Sequence, residues 1–462
     1  MPGSGPLVPT PLRSDTRRAT VASLDQEGRG VTRDGGKVVF IDDALPGEEV
    51  EFRVWRRKPR YDLANVIRVV DESSQRVDPP CPHYERCGGC SLQHFEARAQ
   101  VAVKQRVLED ALSRIGKVEP QMLLPPIHGP SFDYRHRARM SVRHVAGKGG
   151  ALVGFRERRT HFVVEMDSCA VLADSASYLI GPLREMISGL DLAARVPQVE
   201  VAVLDTHVAL TLRVLDPMGE ADRGRLRAFM RSHAVDIYLQ FGGPNVLEPL
   251  IPDAVRPLYY RLPEFDLRLE FEPADFTQVN PSMNRMLVRR ALALLEPKPG
   301  ERIADLFCGI GNFTLAIARS GAQVVGVEGV TSLVQRAQHN AELNGLAQRA
   351  RFVVADLSKR AALLDLGPVD RLLLDPARDG ALQVVSGLAE PLPHTIIYVS
   401  CNPATLARDA GVLVHDKGYE LRAAGVLNMF PHTAHVESIA LFVRAQKQTG
   451  LHSAAPLRHE AR

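Results

Sequence analysis

Apolar runs of strand length alternate with segments of helix length over residues 263–445. Turn residues bound each run, and the intervening segments are long enough for helices that cover a sheet. This alternation predicts an α/β fold, in which a Rossmann-like parallel sheet carries helices on both faces. The predicted strands cover residues 302–307, 323–328, 351–355, 371–375 and 395–400.

The first part of the chain has a different pattern. Short runs of alternating apolar and polar residues, at 37–41 and 50–54, are separated by glycine-rich turns. Short strands at this spacing predict a small all-β barrel of the OB type over residues 19–73. Barrels of this type are common platforms for nucleic acids.

Residues 74–262 mix the two patterns, so we predict a central α+β domain without naming its fold. A helical period covers 93–115. The segments at the two ends, 1–18 and 446–462, have no periodicity, and we predict that they are flexible. The strands predicted in the central domain cover residues 137–143, 161–165, 200–204 and 208–214.

The composition adds little to this division. The chain has 462 residues, of which 45% are hydrophobic and 24% charged, and its net charge is +3. No apolar run has the length of a transmembrane helix or of a signal-peptide core. We therefore expect a cytoplasmic protein with no membrane partner, and we expect a monomer. The net charge alone does not indicate a nucleic-acid partner.

Local charge says more than net charge. Residues 53–60 read RVWRRKPR, with five basic residues in eight around the single Trp of the chain, and a second basic cluster covers 134–144. Basic residues beside an aromatic ring can neutralise phosphates and stack on a base. A solvated charged face explains either cluster equally well when it is taken alone.

The first predicted strand of the α/β part runs into a glycine-rich turn, IADLFCGIGN. Gly309 and Gly311 let the backbone approach a ligand, which also meets the free N–H groups of the next helix. The turn lacks the third glycine of the dinucleotide motif, so a nucleoside without phosphates fits better, and S-adenosylmethionine is such a ligand. Glu328, after the second strand, can accept from ribose hydroxyls, and Asp356, after the third, from an adenine amino group.

Cys401 follows the fifth predicted strand, at the edge of the sheet where ligands bind. A thiolate there can add to C6 of a uracil, which turns C5 into a nucleophile for a methyl group. A base must then remove the C5 proton, and Glu437 is the candidate. Cys308 is the rival nucleophile, but it lies inside the glycine turn, where the cofactor should pack, so we interpret it as structural.

The other four cysteines form a second group. Three lie close together in C-x5-C-x2-C spacing and the fourth is distant, and because we expect no signal peptide we do not expect a disulfide framework. This arrangement favours a cubane iron–sulfur cluster over zinc, which prefers two C-x-x-C pairs. His83 and His94 keep the zinc alternative open. The four thiols are those of Cys81, Cys87, Cys90 and Cys169.

These motifs together resemble the RNA uracil-5-methyltransferase family over almost the whole chain. SLDQEGRGV and DDALPGEEVEFRV are similar to a TRAM domain, an RNA-binding barrel, and DFTQVNPSMN, DPAR, SCNP and FPHTAHVE match motifs of the catalytic domain. The resemblance implies S-adenosylmethionine as methyl donor. It also implies 23S ribosomal RNA as the substrate, because the family's tRNA enzyme lacks both the TRAM domain and the cysteine cluster, and a second ribosomal RNA enzyme has a shorter N-terminus.

The resemblance also implies roles for individual residues. Cys401 would be the nucleophile and Glu437 the base, and Gln278 would contact the pyrimidine as well as the cofactor. The implied cofactor contacts are Gln278, Phe307, Asn312, Glu328, Asp356 and Asp375. The implied ligands of a 4Fe–4S cluster are Cys81, Cys87, Cys90 and Cys169.

Three positions depart from the family pattern. Asp356 stands where relatives carry Asn, and His136 replaces a more usual Arg. Asn428 stands where the family often has Asp before MFPHT. We expect this change to affect a contact behind the active site and to leave the chemistry intact.

Other functions are weighed against this one. A radical S-adenosylmethionine enzyme needs C-x3-C-x2-C with one open iron, whereas this chain has a longer spacing and a fourth cysteine. A non-catalytic RNA-binding or assembly factor would not need Cys401, Glu437 and Gln278 together. Within the family, another RNA site or a tRNA is the alternative substrate.

Overall fold

The computed structural model describes residues 16–145, 147, 149–243, 246–359 and 367–445. The predicted flexible tail, 446–462, and most of the predicted lead-in lie outside the described residues. Among the described residues, no helix is long and apolar enough to cross a membrane.

The strands, in chain order, are β1 (Arg17–Thr20), β2 (Ser23–Leu24), β3 (Gly30–Asp34), β4 (Lys37–Asp42), β5 (Glu49–Arg57), β6 (Tyr61–Asp71), β7 (Met122–Leu123), β8 (Arg137–Val145), β9 (Gly150–Gly154), β10 (Gln198–Val203), β11 (Val208–Val214), β12 (Val235–Phe241), β13 (Leu247–Pro249), β14 (Leu258–Leu262), β15 (Leu267–Phe271), β16 (Arg302–Leu306), β17 (Gln323–Glu328), β18 (Ala350–Val354), β19 (Arg371–Leu374), β20 (Thr395–Ser400), β21 (Tyr419–Leu427) and β22 (Glu437–Arg444). The α-helices are α1 (Ala97–Ala111), α2 (Asp174–Ser177), α3 (Ile180–Ser188), α4 (Glu220–His233), α5 (Pro281–Leu295), α6 (Thr314–Ala318), α7 (Thr331–Leu343), α8 (Leu382–Gly387) and α9 (Pro403–Gly411).

The first six strands form one sheet in the order β1-β5-β6-β4-β3-β2. β1 pairs with β5, and β2, after a bend of two residues, pairs with β3. The bend closes the sheet on itself, which removes its open edges. Ile41, Val50 and Phe52 are fully buried inside, as their alternation with polar residues requires. The predicted small barrel is confirmed.

The central sheet has the order β13-β12-β11-β10-β8-β9, with α3 against β9 and α4 against β12. The strand predicted at 161–165 is wrong. Only Val163 forms a bridge there, with Arg156. The chain reverses at Arg159, which has a φ of 62°, so the segment that follows is too close to the turn to pair over its length.

The C-terminal sheet has the order β18-β17-β16-β19-β20-β22-β21-β7. The first five strands are parallel, and β22 lies antiparallel to β20. Apolar residues cover both faces: Leu373 packs towards α5, α6 and α7, whereas Leu372 and Leu374 pack towards α1, α8 and α9. The predicted Rossmann-like sheet is confirmed, and its five predicted strands lie within one residue of the observed bounds.

Helix α1 belongs spatially to this C-terminal sheet, although it lies in the segment assigned to the central domain. Leu108 is fully buried in the same core as Ile396 and Phe442. The strand β7 follows and pairs with β21. The helix begins four residues later than predicted because the Glu96 carboxylate caps it, accepting from the N–H of Ala99 at 2.8 Å. The four boundaries between the five predicted segments stay predictions.

A close backbone crossing joins the end of α1 to α9. A Cβ built on Gly116 would lie 2.4 Å from the carbonyl oxygen of Ala407, and one built on Gly411 would lie 3.0 Å from the carbonyl oxygen of Gly116. The crossing therefore depends on glycine at these positions.

We predict that Gly116→Ala lowers the free energy of unfolding by ~1–3 kcal/mol, because the backbone of α9 must move to admit the methyl group. The matched control is Gly181→Ala in α3, where an added Cβ meets nothing within 4 Å. That control should be neutral or slightly stabilising, since alanine favours a helix. Urea denaturation followed by circular dichroism measures the free energy of unfolding of both variants. Equal changes in the two variants would contradict a dependence of the crossing on Gly116.

Candidate active site

The predicted catalytic residues meet at the carboxyl edge of the C-terminal sheet. Chain order reverses between β16 and β19, and ligands bind at such a reversal. Ser400, the last residue of β20, pairs with Ser438 near the start of the antiparallel β22. This register brings Cys401 and Glu437 to the same edge, although they are far apart in sequence.

The Cys401 thiol interacts with three charged side chains. Burial raises its pKa, the carboxyls of Glu437 and Asp375 raise it further, and the guanidinium of Arg378 opposes them. Burial also raises the pKa of Glu437 well above its ordinary value, with a further contribution from Asp375, and it raises the pKa of Asp375 to about 7. A perturbed cysteine beside two perturbed acids is typical of a catalytic site.

The position of Arg378 is set by its neighbours. The amide of Asn402 donates to its carbonyl oxygen at 3.1 Å, and the hydroxyl of Thr405 does so at 3.2 Å. Its guanidinium donates to Nδ1 of His435 at 2.7 Å. Burial, followed by the charge of Arg378, lowers the pKa of His435 to about 4. The cation is thus tied to both sides of the Cys401 cavity.

The glycine turn has the predicted open geometry. Gly309 and Gly311 have φ of 54° and 95°, and Phe307, at the end of β16, has a φ of 66°. A Cβ built on Gly309 would meet no atom within 4 Å, so a ligand has room there. The Glu328 carboxylate accepts from the N–H of Gly309 at 3.2 Å and from that of Val330 at 3.1 Å.

Asp305, which sequence reasoning missed, lies beneath this turn. It is fully buried, and burial raises its pKa to about 7. One carboxyl oxygen accepts from the Thr314 hydroxyl, while Oδ1 has no hydrogen-bond partner within the described ranges. An acid at the end of the strand before a glycine turn was a visible signal. The turn, the acids around it and this unsatisfied oxygen fit a cationic nucleoside ligand.

Asn312 and Gln278 lie on neighbouring parts of the structure. Asn312 Oδ1 accepts from the Tyr260 hydroxyl at 2.9 Å and from the Asn284 amide at 3.0 Å. Tyr260, Asn284 and Gln278 line one cavity of about 490 Å³. Gln278 therefore shares a cavity with two residues that contact Asn312, whereas Cys401 lines a different cavity.

Asp356 lies after β18, as predicted, but it is exposed and faces its own loop. Its carboxylate accepts from the N–H and the hydroxyl of Ser358, at 3.0 and 2.6 Å, and contacts Lys359 at 3.2 Å. Its predicted adenine contact stays a prediction.

The Cys401 cavity, about 350 Å³, is built by three parts of the chain. Gln26 and Glu27 come from the barrel, Gly88–Ser91 from the cysteine-rich loop, and the remaining walls mostly from the C-terminal sheet. Through Glu27 and the cysteine-rich loop, it adjoins a groove of about 730 Å³. The groove carries five arginines, namely Arg29, Arg139, Arg156, Arg158 and Arg159.

The two basic clusters differ in the structure. Trp55 is 42% exposed, and the Arg159 guanidinium lies 4.8 Å from its ring centroid. In the second cluster, Tyr134 is buried, and Arg137 donates to the hydroxyl of Thr277 and to a carbonyl of the same loop. The second cluster is therefore partly structural, since it supports the loop that carries Gln278.

The four clustered cysteines meet as predicted. No disulfide joins them, and every pair among the four thiols is close enough for an electrostatic interaction. Burial raises the pKa of Cys90 to about 12. In the part of the chain that the structure describes, no three His, Cys, Asp or Glu side chains lie close enough to hold a single metal ion.

Of the two histidines of the zinc alternative, His83 accepts from the N–H of Cys87 through its backbone carbonyl at 2.7 Å, and His94 hydrogen-bonds to a tyrosine. Nδ1 of His94 lies 2.6 Å from the Tyr84 hydroxyl, and burial lowers the pKa of this histidine to about 4. The backbone N–H of Gly89 donates to the Cys87 sulfur at 3.4 Å.

Two further residues near the site were missed in the sequence. Arg378 stood inside the DPAR motif without a role. Lys104 occupies a buried position of α1, among Val101, Leu108 and Ala111. A lysine within the apolar stripe of a helix is rare unless it is paired, and that signal was readable.

The chain matches the family model of tRNA (Uracil-5-)-methyltransferase over residues 259–445 and that of the TRAM domain over 13–67. It is 55% identical to the 23S rRNA (uracil(1939)-C(5))-methyltransferase RlmD of Aromatoleum aromaticum, over 92% of this chain and 99% of the relative. It is 53% identical to the enzyme of the same name from Nitrosospira multiformis, over 94% and 100%.

A solved structure agrees over the same length. The tRNA (uracil-54, C5)-methyltransferase of Pyrococcus abyssi, in complex with S-adenosyl-L-homocysteine, is 25% identical, with a TM-score of 0.71 over 92% of this chain and 99% of that one. The predicted TRAM domain and methyltransferase fold are thereby confirmed. Since relatives more than half identical align with nearly all of it, the chain belongs to the RNA uracil-5-methyltransferase family, whose methyl donor is S-adenosylmethionine.

Proposed function

We propose that this enzyme methylates C5 of a uridine in 23S ribosomal RNA, the uridine 1939 of its relatives' names. The observation that carries the proposal is that Cys401 and Glu437 lie together at one edge of the C-terminal sheet. The thiol and the buried carboxyl interact at the edge of the sheet beside the glycine turn.

In the first step, the Cys401 thiolate adds to C6 of the uracil. A sulfur–carbon bond forms, and the C5–C6 π electrons move onto the C4 carbonyl oxygen as an enolate. The Arg378 guanidinium favours the thiolate, since it lowers the pKa that burial and the two carboxyls raise.

S-adenosylmethionine would supply an electrophilic methyl group: the bond to C5 forms as the sulfur–methyl bond breaks, and S-adenosylhomocysteine leaves. Glu437 then takes the C5 proton, the electron pair re-forms the C5–C6 double bond, and the Cys401 thiolate leaves. A carboxylate with a raised pKa is a stronger base than an exposed one. The net change replaces the C5 hydrogen with a methyl group and releases one proton.

Six residues are proposed to hold the methyl donor. Glu328 would accept from the ribose, because its carboxylate already lies beside Gly309. Gln278 would approach the donor from the neighbouring cavity. The full set is Gln278, Phe307, Asn312, Glu328, Asp356 and Asp375.

We further propose that Cys81, Cys87, Cys90 and Cys169 hold a 4Fe–4S cluster. Four free thiols in mutual electrostatic range fit a cubane, whose ligands lie farther apart than those of one ion. N–H donation to a sulfur, seen at Cys87, is usual for cluster thiolates.

The RNA is proposed to enter through the arginine-bearing groove beneath the barrel, which leads to the Cys401 cavity. We keep the expectation of a monomer that works in the cytoplasm.

Cys401→Ala should lower methyl transfer to an unmodified 23S RNA fragment more than about a thousandfold, since the nucleophile is lost. In Glu437→Gln, Cys401 should still add to the uracil and the methyl group should still be transferred, but the variant cannot remove the C5 proton. It should therefore accumulate a methyl-labelled protein–RNA adduct on a denaturing gel. Cys308→Ser is the control thiol and should form no stable adduct. Methyl transfer to a tRNA transcript but to no 23S RNA fragment would contradict the proposal that 23S ribosomal RNA is the substrate.

The rate should rise with pH above the ordinary titration range of a glutamate and further into the alkaline range. Glu437 acts only when deprotonated, and its pKa is raised. Cys401 acts only as a thiolate, and its pKa is also raised. Arg378→Met should move the alkaline limb to higher pH, because the opposing cation is gone.

A pH profile of kcat/KM measures these limbs. Because Glu437 and Cys401 interact, the limbs belong to the pair and not to either residue alone. The control is Arg422→Met, whose side chain pairs with Glu420 at the far end of β21. An Arg378→Met profile identical to that of the wild type would remove the role of this cation.

Cys87→Ser should lose iron and acid-labile sulfide, because one of four ligands is gone. Cys308→Ser, in the glycine turn, is the matched control and should keep both. Chemical iron and sulfide assays on anaerobically purified protein measure the content. Zinc in place of iron in the wild-type protein would contradict the cluster.

A further inference from the structure

The loop that joins β21 to β22, residues 428–436, is held along its length by other parts of the chain. Four consecutive carbonyl oxygens accept hydrogen bonds from four different elements. Met429 O accepts from the Asn280 amide at 3.2 Å, Phe430 O from the Lys104 ammonium at 2.8 Å, and Pro431 O from the Tyr134 hydroxyl at 3.0 Å. His432 O accepts from the N–H groups of Ser91 and Leu92, at 2.9 and 3.0 Å.

Lys104 anchors the start of this loop. Its amine is buried and donates to Asn428 Oδ1 at 2.7 Å as well as to the Phe430 carbonyl. Both acceptors are neutral, and burial lowers the pKa of Lys104 to about 7. A buried amine costs stability unless its hydrogen bonds are made, so Lys104 and the loop hold each other in place.

Gln100, one helical turn earlier on α1, anchors the middle of the loop. Its Oε1 accepts from the N–H of His432 at 2.8 Å, and its Nε2 donates to the Leu92 carbonyl at 3.0 Å. His432 has a φ of 61° and stacks on Phe132, with ring centroids 4.3 Å apart. A non-glycine residue keeps such a φ only where its surroundings impose it.

The other end of the loop forms the active site. Thr433, Ala434, His435 and Val436 line the Cys401 cavity, and Glu437 follows directly. The raised pKa of Glu437 depends on exclusion of water, and this loop is a wall of the cavity. The contacts between α1 and the loop therefore affect the position of Glu437 and its exclusion from water.

We propose that Lys104 and Gln100 are positioning residues for the base Glu437, which hold the loop 428–436 against α1. This inference rests on the proposed function, since it assumes that Glu437 removes the C5 proton. Neither side chain would touch the substrate. Their loss would let the loop shift, so that the carboxyl is displaced from the C5 proton and becomes hydrated.

Elimination is the step that depends on the base, so its failure leaves a specific product. Addition of Cys401 and methyl transfer would proceed, but the thiolate could not leave. The methylated base would then stay attached to the enzyme. A general loss of stability would lower activity without enriching this adduct.

The test measures kcat, KM for RNA and the methyl-labelled adduct for Lys104→Met. We expect kcat to fall by about ten- to a hundredfold, since a small displacement of a catalytic group has effects of this size. KM should stay within about twofold, and the adduct should accumulate. In Lys104→Gln the amide can still donate a hydrogen bond. Its kcat should therefore fall less than that of Lys104→Met, and less adduct should accumulate.

Two control variants lie on the same helix. Arg106→Met removes an exposed cation that pairs with Asp110 and should behave as the wild type. Leu108→Ala removes a fully buried side chain of the core and should lower the melting temperature without adduct. If Lys104→Met does not fold, Gln100→Leu is measured in its place with the same expectations.

The inference is overturned if the folded variant keeps wild-type kcat, or if kcat falls without adduct as in Leu108→Ala. Wild-type turnover and the adduct of Glu437→Gln test the proposed function separately. If both are seen and the variants of Lys104 and Gln100 give no adduct, only the positioning role fails.

Discussion

The antiparallel pairing of β22 with β20 is the constraint on which the site depends. Ser400 lies opposite Ser438, so Cys401 and Glu437 leave the ladder at the same edge. A slip of β22 by one residue would turn Glu437 to the opposite face from the one it now shares with the site. The parallel strands β16 and β19 end at this edge too, which places the glycine turn at the same edge and Asp375 beside the thiol.

Burial of acids sets the chemistry at this edge. Glu437, Asp375 and Asp305 all have raised pKa values because they are withdrawn from water, and neighbouring carboxyls add to the effect at Glu437 and Asp305. Such groups cost stability, but the raised pKa makes the proposed base Glu437 a stronger proton acceptor beside the site proposed for the methyl donor. The open turn at Gly309 gives that donor room.

The N-terminal half of the chain completes this site. The barrel contributes Gln26 and Glu27 to the Cys401 cavity, and the cysteine-rich loop contributes another wall. Helix α1 covers one face of the C-terminal sheet and binds the loop before β22 through Lys104. Asn428, which departs from the family pattern, is one of the two acceptors of that lysine. At this position the lysine meets a neutral amide oxygen, in a contact behind the active site.

Periodicity and spacing in the sequence determined the barrel, the parallel sheet, the glycine turn and the two groups of cysteines, because these depend on local patterns and short motifs. The strand predicted at 161–165 failed, since the chain reverses at Arg159 and the segment after this turn pairs only through the bridge of Val163 with Arg156. Only the tertiary structure assigned α1 to the C-terminal sheet and placed Arg378 at the Cys401 cavity. It alone showed that Lys104 holds the loop before Glu437. These contacts join residues far apart in the chain, and their energies come from burial and charge, which a linear pattern does not contain.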